Sequence, residues 1–315
     1  MTVGNGVAYV TNIIEPLREM TEGMRRPDSP TQSSLTPPTG SSWEATTGSQ
    51  SKARHRAFRI LAAILTVAFL ALFVFGLFEV VLMWLPDEVL LSVIDDLTAA
   101  DLEFHRAHFL SIGIVAWALV PALAVQLRKP ERRVAPMLQL TVIVVVSSVV
   151  FGLSGTLGDW LVEEAAILVP VLLLAWLHPR ARDLINRPAF DRGMVTLAAV
   201  AALPWLAFSI DNARLQITGI AGDPRPEEEL WAAAAMMGVA IAACAIIGSS
   251  DRAGWPLPAW TAAAGSVIFG LHSLVYRDAA STLPIVWAVL AIVWGVGLGV
   301  MIVRRQLLRE PEHAS

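Results

Sequence analysis

AFRILAAILTVAFLALFVFGLFEVVLMWL, residues 57–85, decides the fold. From Ile60 to Phe78 it contains no ionisable side chain. A helix of about 20 apolar residues, rising ~1.5 Å per residue, crosses the hydrocarbon layer of a bilayer. Lipid offers no partner to backbone N–H and C=O groups, so such a segment must satisfy them within itself, as a helix. The strict alternation of a barrel strand is missing.

Seven similar runs follow, near residues 107–126, 134–153, 160–177, 190–210, 229–248, 257–276 and 284–303. Of the 315 residues, 55% are hydrophobic and 16% charged, with a mean hydropathy of +0.60. A soluble domain carries roughly 25% charged residues. The expected fold is therefore all-α: a polytopic transmembrane bundle of about eight helices. Its principal partner is the lipid bilayer, and a net charge of −4 gives no case for nucleic acid. The lone cysteine, Cys244, excludes an intrachain disulfide and any CxxC motif, and its apolar surroundings mark it as a packing residue. No apolar run precedes Ala57, so residues 57–85 read as a first span and not as a cleaved leader.

Three parts are expected along the chain. Residues 1–56 form a largely disordered tail, because the Pro-, Ser-, Thr- and Gly-rich stretch over 27–51 has too little apolar surface to offset its ordering entropy. Within that tail, Val10, Ile13, Ile14 and Leu17 outline a short amphipathic helix over 7–24. Residues 57–303 make the membrane domain, with halves of about 57–177 and 190–303, and 304–315 make a second tail. SSVVFGL at 147–153 and GSVIFGL at 265–271 are similar, and each follows a proline-containing loop. This suggests two parallel four-helix repeats.

Basic residues set the orientation. Lys52, Arg54, Arg56 and Arg59 precede the first helix, and Arg128, Lys129, Arg132 and Arg133 follow the second. Arg180, Arg182, Arg187 and Arg192 follow the fourth, Arg252 the sixth, and Arg304, Arg305 and Arg309 the eighth. The opposite side holds Arg106, Arg214, Arg225 and Arg277. The expected location is a bacterial-type inner membrane with both termini cytoplasmic. Trp84, Trp160 and Trp231 fall at outer ends, and Trp176, Trp255 and Trp260 at inner ends, as interfacial belts favour. Pro86-Asp87-Glu88 suits a helix start, so a short surface helix is expected in the first outer loop, with Val89, Leu90, Val93, Ile94 and Leu97 on one face.

Ionisable groups inside membrane segments are costly and mark functional positions. They collect on the outer side: Glu79 in helix 1, His105 and His108 in helix 2, Glu163 and Glu164 in helix 4, Asp211 and Arg214 closing helix 5, and His272 in helix 7. His105 and His108 share a helix face, as do Gly265, His272 and Tyr276. Converging, these groups would line an outward cavity for proton or ligand transport. Solvation at the membrane interface is the plainer reading of each, and a local ion pair is that of Asp211 with Arg214. Pro121 and Pro204 are expected to kink their helices. Gly295 and Gly299 offer a close-packing face, to a helix of this chain or of another copy.

Glu103-Phe104-His105-Arg106, at the mouth of the second helix, resembles the Glu and His-Arg pair of haem A synthases, eight-helix proteins built as two four-helix halves. The resemblance implies a similar architecture. It does not reach haem binding: the spacing is one residue short, and helices 4, 6 and 8 contain no histidine. No cofactor is therefore expected. A redox protein with haem or metal on His105, His108 and His272 is an alternative to transport, and a non-catalytic scaffold or regulator is another. No nucleophile motif, Walker loop or metalloprotease motif is present, and no catalytic residue is assigned.

Overall fold

Every one of the apolar runs forms a helix. The computed structural model describes residues 42–93, 99–153, 160–219, 230–277 and 281–309. The chain divides into two compact units, Met1–Ser49 and Gln50–Ser315. The pattern over 7–24 and the tail up to residue 41 lie outside the described residues.

The helices are α1 (Ser42–Leu82), α2 (Asp87–Val93), α3 (Ala99–Ala124), α4 (Val134–Leu153), α5 (Trp160–Leu177), α6 (Ala181–Ile185), α7 (Arg192–Thr218), α8 (Leu230–Gly248), α9 (Pro256–Val275) and α10 (Ile285–Arg309). Two 3-10 turns, Val125–Leu127 and Pro130–Arg132, bridge α3 to α4. Among the described residues, six helices (α1, α3, α7, α8, α9 and α10) contain stretches long and apolar enough to cross a membrane. The corresponding stretches of α4 and α5 are shorter, Val134–Val150 and Ala165–Leu177. These six define a multi-pass, all-α integral membrane protein.

Residue size explains the packing order. In α8, LWAAAAMMGVAIAACAIIG, small side chains let neighbouring backbones approach on all sides, and the helix packs on α3, α4, α7 and α9. Cys244 lies fully buried there. At the rim, α1 exposes Ile60, Ile64, Val67, Leu72 and Phe78, and α10 exposes Val286, Val293, Val296 and Val300. Apolar faces of this extent suit lipid and not water. Polar side chains tie helices together where water is absent. Gln139 of α4 donates to the Ala118 carbonyl of α3 at 2.6 Å, Ser266 of α9 to Ala291 of α10 at 2.9 Å, and the Trp294 indole of α10 to Leu197 of α7 at 2.8 Å.

The short surface helix is present as α2, opened by Asp87 and Glu88. Of its expected apolar face Leu90 is fully buried, in a small cluster with Met83 and Leu102, whereas Val89 is exposed. Helices α3 and α7 run through Pro121 and Pro204 without ending.

Two expectations change, and one left open is resolved. Trp231 and Trp255 are buried and form no part of an interfacial belt: Trp231 lies in the central helix, and Trp255 lies under the Arg305 guanidinium. Trp176 and Trp260 are exposed, as a belt requires. The close-packing face of α10 is occupied within the chain. A Cβ on Gly295 would stand 2.7 Å from the Ala263 carbonyl and from Val267, both of α9, and one on Gly299 would meet Trp260 at 3.4 Å. No second copy is needed to cover it. The chain after residue 303 is helical up to Arg309 and holds a buried Arg305. Arg305 donates to the Gly248 and Ser250 carbonyls and lies 3.9 Å from Asp191, the N-cap of α7.

Candidate functional site

Where α1 and α9 end and α3 begins, an imidazole is enclosed by aromatic rings. The spacing of α9 places Phe269, His272 and Tyr276 on one face, at i, i+3 and i+7. His272 stacks against Phe269 with centroids 6.4 Å apart, and meets Tyr276 at 4.9 Å. Trp84, from the turn after α1, closes the enclosure edge-on at 5.9 Å. The His272 side chain is fully buried, and among the described residues neither ring nitrogen has a hydrogen-bond partner.

Arg106 of α3 fixes that turn. It is 3% exposed, which is rare for an arginine and requires its donors to be used. They reach the Met83 carbonyl at 2.7 Å, the Leu85 carbonyl at 3.3 Å, and the Asp87 carboxylate. The guanidinium also lies over the Tyr276 ring, 4.1 Å from its centroid. One side chain thus joins α3 to the turn bearing Trp84 and to the end of α9. A neutral imidazole offers one donor and one acceptor. Among the described residues both remain unused, so the neutral ring can hydrogen-bond a polar ligand group that enters the site.

The other sequence candidates divide into two sets. Helix places Glu79 in α1, His105 in α3, and Glu163 and Glu164 in α5, but their side chains lie outside the described residues. His108 of α3 is half-buried against the Phe109 ring, at 5.4 Å. Asp211 and Arg214 are exposed, and they lie within α7 and not in a loop, because that helix continues to Thr218. No ion pair joins them among the described residues. Among the described residues, no group of three His, Cys, Asp or Glu side chains is placed to hold a metal ion.

Two participants escaped the sequence reading. Arg106 counted there as an outer-side charge and as part of the His105-Arg106 pair, and Trp84 only as a belt residue. Part of the signal was present: Leu85-Pro86-Asp87 begins 21 residues before Arg106, and its carbonyl and carboxylate groups can satisfy an arginine.

This fold and site belong to the class of multi-pass helical membrane proteins. No family model, no curated protein and no solved structure matches the chain.

Proposed function

We propose that this is an inner-membrane protein that crosses the bilayer eight times, has both termini in the cytoplasm, and transports or binds a small polar solute from the outer side. The single observation that carries this reading is His272: a fully buried imidazole, both nitrogens unpaired among the described residues, inside an enclosure closed by Trp84 and braced by Arg106. A buried polar group without a partner costs about 1–3 kcal/mol. A sequence free to vary removes such a cost unless the group does something. Eight crossings are supported by the helical state of α4 and α5 between fully spanning neighbours, and the orientation by the arginines gathered at one end.

The two-repeat reading is supported by equivalent packing. Helix α3 packs on α4 as α8 does on α9, and α4 on α5 as α9 does on α10. The loops that open α4 and α9 meet where Ala135 N–H donates to the Ala253 carbonyl at 2.9 Å. Gly254 there has φ +85°, and a Cβ would come within 2.8 Å of Pro136.

Proteoliposomes with a trapped pH-sensitive dye test the function. A potassium diffusion potential is applied, alone and with external carboxylates, amines or sugars. Flux above that of protein-free vesicles is expected, and its loss in His272→Phe. Equal flux in both proteins, or none from either, removes the transport reading. The haem or copper alternative draws on the same unpaired nitrogens, with His105 and His108 as partners. Purified protein with a featureless visible spectrum and no bound metal removes it.

A further inference from the structure

At the opposite, arginine-rich end, a cleft of about 200 Å³ opens between the turn after α5, the start of α4 and the α8–α9 loop. Arg180, Asp183, Asn186, Arg187, Asp251 and Arg252 supply its polar lining. Most of these charges hold the cleft in shape. Asp183 is paired with Arg180 and accepts from Asn186 at 3.3 Å. Arg252 donates to the Asp183 and Asn186 carbonyls, which fixes its guanidinium in the wall. Burial lowers the pKa of Arg252, and the charges of Asp183 and Asp251 oppose that shift. Arg187 is exposed and has no hydrogen bond or ion pair among the described residues. Three arginines, Arg180, Arg187 and Arg252, thus line the cleft with two carboxylates, Asp183 and Asp251, which leaves a cation in excess.

We propose that this cleft binds a phosphate group, carried by a lipid headgroup or as free phosphate, with Arg187 and Arg252 as its cationic contacts. The guanidinium fork of Arg187 matches phosphate oxygens in pairs, while Arg252, whose terminal nitrogens also serve the Asp183 and Asn186 carbonyls, adds fixed positive charge. The cleft has the volume for a tetrahedral oxyanion with its waters. Its level favours the lipid source: exposed Trp176, in the last turn of α5, lies where indole rings mark the headgroup region. Basic pockets between helices at this depth hold anionic headgroups. Asp251 on the rim favours an anion that also carries a donor, such as a glycerol hydroxyl. The lipid arm rests on the bilayer reading above, whereas the free-phosphate arm does not.

Delipidated full-length protein in neutral detergent is titrated with short-chain phosphatidylglycerol and, separately, with inorganic phosphate. Native mass spectrometry and the thermal unfolding midpoint report binding. We expect saturable binding that Arg187→Gln weakens about tenfold, the loss of one charge-assisted contact, while Arg182→Gln, on the outer face of α6, binds like the wild type. Binding of phosphatidylglycerol alone assigns the cleft to lipid, and displacement of lipid by inorganic phosphate assigns it to free phosphate. Equal affinity in Arg187→Gln and wild type overturns the proposal, as does failure of both ligands to bind.

Discussion

His272 stands edge-on to Trp84, with ring centroids 5.9 Å apart and planes at 88°. The two residues are far apart in the chain. They meet because Arg106 draws the turn after α1 toward α3 through the Met83 and Leu85 carbonyls. An imidazole in that position loses its water and gains ring contacts but, among the described residues, no hydrogen bond.

Substitution at His272 separates a structural role from a working one. His272→Phe keeps the ring volume and removes the unpaired nitrogens, so it should stabilise the protein by about 1 kcal/mol. His272→Ala opens a cavity and should cost about 2–4 kcal/mol. Thermal unfolding in detergent reports both. A stable but inactive His272→Phe protein is the expected result, and a destabilised one would place the enclosure in the packing alone.

Arg106 and Asp87 should behave unequally despite being an ion pair. Arg106 is buried, and its loss leaves two carbonyls without a donor, so Arg106→Gln should cost about 3 kcal/mol. Asp87 is 66% exposed, and Asp87→Asn should cost no more than ~1 kcal/mol. Equal effects on the unfolding midpoint would contradict the arrangement.

Stability should fall in mild acid through His178. Its Nδ1 accepts from the Arg180 N–H at 3.1 Å, so Nε2 carries the proton and donates to the Pro130 carbonyl at 3.1 Å. Burial, with the Arg180 charge in support, holds its pKa below the usual 6.5. The unfolded chain then binds the proton more readily. The contribution is present in full above about pH 6.5 and declines as pH drops below that value. His178→Gln should flatten the midpoint between pH 7.5 and 5.5, roughly the window in which free imidazole titrates.

Two glycines of α10 make a matched pair. A side chain at Gly295 collides with α9, so Gly295→Leu should destabilise by about 1–3 kcal/mol. Gly297 has open space around its Cβ position, and Gly297→Leu should leave the midpoint unchanged or raise it. The reverse order would show that α9 and α10 pack on other faces.

Much of this was legible in sequence because lipid imposes a strong constraint: about twenty apolar residues in a row can do little else but cross. The same holds for α2, where Pro86-Asp87-Glu88 writes a helix start into three residues. What stayed hidden depends on direction and not on composition. Hydropathy counts Arg106 and Arg305 as boundary charges wherever they point, yet both turn inward onto backbone carbonyls. Trp231 and Trp255 stand at helix ends, as belt residues do, but both are buried, Trp255 beneath the distant Arg305. Of the site, His272 and Tyr276 were readable as one helix face. Trp84 and Arg106 were not, since only the folded turn brings them there.

Impermeant maleimide labelling of intact cells tests the placement of the whole chain. Cys244 is buried and contributes no background. Glu88→Cys, beside the His272 enclosure, should label from outside, and Arg182→Cys, at the arginine-rich end, only after permeabilisation. Labelling of Arg182→Cys in intact cells, or protection of Glu88→Cys until they are opened, would contradict the orientation and with it the outward-facing site.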